Sequence, residues 1–223
     1  MTSANVVGYQ NVPTVSGFQF ITPTFEKIDG SALTLGDVIP SGADAGWGAE
    51  HITIFDSELY IAAAYTYYCE DMGMSDGAGW YNDEDSSFAN AVSLGGFGRG
   101  VQIETQGSVV QFSGAVTSGT VSIPELNSGF VHICNPTPVA QSIQNFAVVG
   151  VDAGWGAEHI TIYDEQLYIS GAFTYYCEDM GMSDGAGWYS DEDTSFATKA
   201  FEPSEGFIFE SQGGVSIELP AVL

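Results

Sequence analysis

Cations are nearly missing from this chain: of 223 residues only Lys27, Arg99 and Lys199 are basic, against 29 acidic residues, for a formal charge of -26. Such a field repels phosphate backbones and anionic lipid surfaces, which excludes nucleic-acid binding. Long apolar runs are missing too. No stretch of about 18 apolar residues occurs, so no helical membrane span is expected. Met1 to Asn5 shows neither the basic start nor the apolar core of an export signal. A chain whose leader has been removed reads the same way, so compartment must come from composition. Cysteine is scarce, with thiols only at Cys69, Cys134 and Cys177. A Cys134–Cys177 bridge, a bond to another chain and buried free thiols all remain open, and the spacing does not indicate zinc.

What is present is apolar and turn-rich. Hydrophobic residues make up 44% of the chain and aromatics 13%, too many for a disordered polyelectrolyte, while 28 Gly and 8 Pro point to tight turns rather than long helices. The length suits one large all-β domain or two domains of about 110 residues. Internal repetition decides between them. Asp44 to Phe88 recurs from Asp152 to Phe196, with about 37 of 45 positions identical. Weaker likeness continues on both sides: Ser16-Gly17-Phe18 answers Ser128-Gly129-Phe130, and Gly100 to Val116 answers Gly206 to Val222. Cys69 and Cys177 are equivalent in this duplication, whereas Cys134 falls at or beside the place of Thr22.

Within a copy the hydrophobic period is two. His51 to Phe55 alternates, Leu59 to Tyr68 is rich in β-branched and aromatic residues, and Asp56-Ser57-Glu58 between them reads as a hairpin turn. Further strands are expected at Val6 to Gln10, Phe18 to Thr22, Val101 to Thr105 and Val109 to Ser113, seven or eight per copy. The stretch from Met72 to Asp85, with its Gly and acidic residues, reads as a long ordered loop. The expected fold is all-β: two tandem, duplicated, antiparallel β-sandwich domains of jelly-roll type, residues 1–116 and 117–223, with little helix.

Three kinds of chemistry suggest themselves. Calcium is one, because Glu70, Asp71, Asp76, Asp83 and Asp85 recur as Glu178, Asp179, Asp184, Asp191 and Asp193 in Gly-rich loops that can turn oxygen ligands onto one point. The EF-hand spacing is absent, and the alternative is a solvated acidic turn. Sugar stacking is the second. Trp47, Trp80 and Tyr81, repeated as Trp155, Trp188 and Tyr189, would form aromatic platforms beside carboxylates for extracellular glycans, unless they serve as core. Third, Glu50-His51 and Glu158-His159 are potential acid–base pairs. No nucleophile elbow and almost no group to stabilise an oxyanion accompanies them, so no enzyme is expected.

The opening SANVVGYQNVPTVSGFQFITPTF, the GAGWY loop and the closing GVQIETQGSVVQFSGAV resemble β-rich secreted proteins of bacteria of the Verrucomicrobia and Lentisphaerae type. That resemblance implies export and a β-domain repeated along a surface or extracellular protein. It carries over no functional residues. The paucity of Lys and Arg and the wealth of Tyr, Gly, Ser and Thr agree with an extracellular or cell-surface location.

Duplication also raises self-assembly. Two like domains in line offer the same surfaces at a fixed step, so the chain is expected to be a structural subunit that joins head-to-tail with its own copies, with calcium in the acidic loops relieving repulsion. Val6, Val7 and Tyr9 at one end and Val215 and Ile217 at the other would add as strands to a neighbour's sheet edge. A carbohydrate-binding module with two aromatic sites is the alternative function, and a glycoside hydrolase a third.

Overall fold

The alternating segments form strands, and every strand pairing in the computed structural model is antiparallel; it describes residues 7–117 and 119–221, with about 50% strand and about 6% helix, the latter as short 3-10 turns. The first copy supplies β1 (Val7–Pro13), β2 (Ser16–Ile21), β3 (Ile39–Ser41), β4 (Trp47–Phe55), β5 (Ile61–Tyr68), β6 (Gly79–Asn82), β7 (Val101–Gln106) and β8 (Val109–Ala115). The second supplies β9 (Val121–Leu126), β10 (Gly129–Cys134), β11 (Gln141–Ser142), β12 (Ala147–Gly150), β13 (Trp155–Tyr163), β14 (Ile169–Tyr176), β15 (Gly187–Ser190), β16 (Ala200–Phe201), β17 (Gly206–Ser211) and β18 (Val215–Leu219). Each copy builds one five-stranded sheet, ordered β2-β7-β4-β5-β6 or β10-β17-β13-β14-β15, and one three-stranded sheet, β1-β8-β3 or β12-β18-β9. The pair β11-β16 stands apart.

Side-chain alternation gives each five-stranded sheet two faces with different partners. On the inner face of the first, Ile52 and Ile103 cluster with Val110 and Phe112 of the three-stranded sheet. Ile160 and Phe209 meet Val215 and Ile217 in the same way in the second. The outer faces are not wholly left to solvent. Phe20 of β2, Cys134 of β10 and Ile208 of β17 form a third buried cluster that joins the copies. The expectation of two tandem sandwiches is therefore corrected: the sheets stand in a four-bladed, propeller-like arrangement. The physical reason is visible in β17, where Phe207 and Phe209 face one core while Ile208 between them faces the next.

The contact between copies is reciprocal. The Phe130 amide donates to the Ser57 carbonyl (2.9 Å), and the equivalent Phe18 amide donates to the equivalent Glu165 carbonyl (3.2 Å). Each hairpin tip thus rests on the first strand of the other copy's five-stranded sheet. Gly17 and Gly129, at φ +120° and +115°, make this approach possible, since a Cβ on either would run into the carbonyl it faces. At the centre Phe20 stacks on His132, its counterpart, with ring centroids 4.4 Å apart. Within the chain this contact is isologous, the two copies offering equivalent surfaces to each other.

Two local expectations also change. The predicted loop contains a strand, β6, which pairs with β5 and buries Trp80 in the inner core and Tyr81 on the opposite face, against Tyr68 and Phe88. β18 is the middle strand of its sheet, paired on both edges, with Val215 and Ile217 buried, so neither can add to a neighbour. β1 is an edge strand with Val7 and Tyr9 exposed; Val6 lies outside the described residues. Among the described residues, no helix is long and apolar enough to cross a membrane.

Candidate functional site

The exposed end of each five-stranded sheet is built around a bulge. Trp47 lies opposite Tyr68 and His51 opposite Thr66, so β4 spends four steps where β5 spends two. Glu50, inside the bulge, turns inward and is 1% exposed, and its carboxylate accepts the Gly46 amide at 2.9 Å. Gly48, at φ +77°, lets the Tyr68 ring lie against the backbone. The result on the outer face is an exposed indole, Trp47 at 54%, beside a partly buried Tyr68. Tyr68 meets Tyr81 edge-on at 5.7 Å, and Tyr81 meets the exposed Phe88 at 5.2 Å. The second copy repeats all of this, with Trp155 at 55% exposure, Glu158 accepting the Gly154 amide, and Tyr176, Tyr189 and Phe196 in the same row.

A polar chain runs beside the indole. Thr66 donates its hydroxyl proton to Asp83 (2.7 Å) and stands 3.0 Å from His51 Nδ1. A hydroxyl has one proton, and the carboxylate can only accept it. Nδ1 of His51 therefore donates to the Thr66 oxygen, and in that tautomer of the uncharged imidazole the acceptor nitrogen is Nε2. Thr174, Asp191 and His159 repeat the chain at 2.7 and 3.0 Å. Glu104 and Glu210, directly across from the histidines on the neighbouring strands, add a carboxylate to each face. The arrangement offers an exposed indole edged by hydrogen-bonding side chains, with no Lys or Arg among these residues.

The predicted site residues separate accordingly. Trp47 and Trp155 are surface groups. Trp80, Tyr81, Trp188 and Tyr189 are core: the indole nitrogens donate to the Val38 and Phe146 carbonyls, and the phenols donate to the Gly77 and Gly185 carbonyls. Glu50 and His51 point to opposite faces of one strand, as neighbours must, so they form no acid–base pair, and Glu158 and His159 behave alike. Three-residue helical turns carry Glu70 and Asp71, and Glu178 and Asp179, in the open. Asp76 and Asp184 accept from Ser75 and Ser183. Hydrogen bonds from the Ser87 hydroxyl and then its amide hold the Asp85 carboxyl below its usual range, and Ser195 does the same for Asp193. Among the described residues, no three metal-binding side chains converge.

All three cysteines are free thiols, so the Cys134–Cys177 bridge does not form. Cys134 is buried, and burial pushes its thiol well up. Thr66, Thr174, Glu104 and Glu210 escaped the sequence reading because they are isolated polar residues in strands; placing them on the face of His51 requires the register between strands. Compared with known proteins, the chain matches no family model, no curated protein and no solved structure.

Proposed function

We propose that this protein is an extracellular, bivalent carbohydrate-binding protein whose two equivalent sites are the faces around Trp47 and Trp155. One observation carries the reading. Thr66 to Tyr81 recurs unchanged as Thr174 to Tyr189, and Asp44 to Ile54 recurs unchanged as Asp152 to Ile162, although much of this surface is exposed. Of the eight differences between Asp44–Phe88 and Asp152–Phe196, five gather at the hairpin end, at Phe55/Tyr163, Ser57/Glu165, Glu58/Gln166, Ala62/Ser170 and Ala63/Gly171, and the others are Tyr65/Phe173, Asn82/Ser190 and Ser86/Thr194. Exposed positions ordinarily accept substitution at little cost, so core packing does not account for identity there. A shared ligand does.

The chemistry favours a neutral glycan. A pyranose stacks its C–H face on an indole, and His51 Nε2, Asp83 and Glu104 accept its hydroxyl protons. The charge of -26 disfavours sulfated and uronate polymers. The test is a glycan microarray probed with the intact chain. Neutral polysaccharides retain the protein, anionic ones do not, and Trp47→Ala with Trp155→Ala reduces retention at least tenfold, since each indole removes on the order of 1–2 kcal/mol. Silence across the neutral glycans would retire the reading.

Self-association is the second reading, favoured by β1, whose outer edge pairs with no strand among the described residues and whose Val7 and Tyr9 are 62% and 63% exposed. It predicts a concentration-dependent sedimentation coefficient that rises with salt as repulsion is screened and that Tyr9→Lys abolishes. A single monomer species at all salt concentrations would oppose it.

A further inference from the structure

The reciprocal packing of the copies creates two clefts at equivalent places, and substitution has made them unlike. One, of about 520 Å³, lies between the β1–β2 corner and the β13–β14 hairpin and is lined by Phe18, Phe20 and Tyr163. Its counterpart, of about 200 Å³, presents Phe130, His132 and Phe55 at the matching positions. Glu205, before Gly206, lines the first, where Arg99, before Gly100, lines the second. The smaller cleft therefore carries a cation and the larger one a set of carboxylates.

We propose that the larger cleft is a binding site for a small organic ammonium ion with an apolar body, a site separate from the indole faces. Its volume falls within the range of small-molecule pockets. Three aromatic rings form the wall: Phe20, stacked on His132 and edge-to-face with Tyr163 at 6.3 Å, is buried behind it, while the half-buried Phe18 and Tyr163 are the rings a cation can reach. Lys199 neutralises Glu205 at 2.6 Å, and Asp164 is committed to the amides of Gln166 and Tyr168. Glu165 and Glu202 line the same cleft, are exposed, and have no cationic partner among the described residues. An ammonium head would sit near these two carboxylates and its apolar body on the rings. A bare metal ion fits poorly, because these carboxylates do not converge to ligate one.

The experiment is calorimetric titration of the intact chain with benzyltrimethylammonium. One ion binds per chain; benzyl alcohol binds at least tenfold more weakly and benzoate not at all. Glu165→Gln with Glu202→Gln, both at exposed positions, weakens binding about tenfold. Gln19→Trp, which fills the cleft, weakens it further, and Arg99→Gln in the counterpart leaves it unchanged. Absence of binding, equal affinity in the Glu165→Gln/Glu202→Gln variant, or two equal ions per chain would overturn the assignment, the last by moving the ligand to the duplicated indole faces.

Discussion

Replacing Trp80 or Trp188 with alanine lowers folding stability by about 4 kcal/mol, the cost of emptying a fully buried aromatic site. Both indoles are 0% exposed and both donate to a main-chain carbonyl, so the substitution leaves a cavity and orphans an acceptor on the Val38 or Phe146 peptide. Urea denaturation reads this as a lower midpoint with an unchanged slope. In a chain of this size the melting temperature falls by about 10 °C. The result separates these residues from Trp47 and Trp155, whose loss leaves stability within about 0.5 kcal/mol and acts on binding. A stable Trp80→Ala protein that has lost only its ligand would mean that the wrong pair of indoles has been assigned to the surface.

Acid weakens the seam between the copies through His132. Its ring lies on Phe20 with Phe55 edge-on at 5.1 Å, and burial pushes its pKa down to about 4. An unfolded histidine titrates near 6.5, so between about 6.5 and 4 the unfolded chain binds a proton that the folded chain refuses. Stability is full above that window and falls as the pH drops through it, by on the order of 3 kcal/mol. His132→Phe keeps a ring on Phe20 and removes the proton, so its stability stays higher than the wild type's at pH 4.5 and converges with it, apart from a constant offset, at pH 7.5. Asp29, Asp85 and Asp193 have carboxyls held below 3.8 by serine hydrogen bonds, act only at still lower pH, and affect both proteins equally. Arg99 and Asp56, which line the cleft beside His132, are also common to both. Parallel stability curves for the two proteins would show that His132 does not carry this effect.

The strands were largely legible because alternation is local. His51 to Phe55 shows its period without any partner, Leu59 to Tyr68 shows its β-branched and aromatic content, and Asp56 announces the turn, accepting the amides of Glu58 and Tyr60 at 2.9 Å. β6 was not legible, because Gly79, Trp80 and Tyr81 follow a Gly-rich run and have no alternation of their own; only the ladder to β5 makes them strand. Register was hidden too. Sequence aligns Val109 with Val215, yet Val110 and Phe112 fill one core while Val215 and Ile217 fill the other, a slip of one residue accompanied by an irregularity between β18 and β9. The two-sided burial of β17 and β2 depends on how copy meets copy, which no single strand records. For that reason the seam, its two clefts and the His51–Thr66–Asp83 chain appear only in three dimensions, while the exposed Trp47 and Trp155 are visible in the repeat itself.

Calorimetric stoichiometry tests the duplicated faces most directly. With the shortest neutral oligosaccharide that the array retains, the wild-type chain takes up two molecules of equal affinity, Trp47→Ala and Trp155→Ala each take up one, and the double variant none. A single molecule per wild-type chain, or unaltered uptake by the folded double variant, would contradict the account.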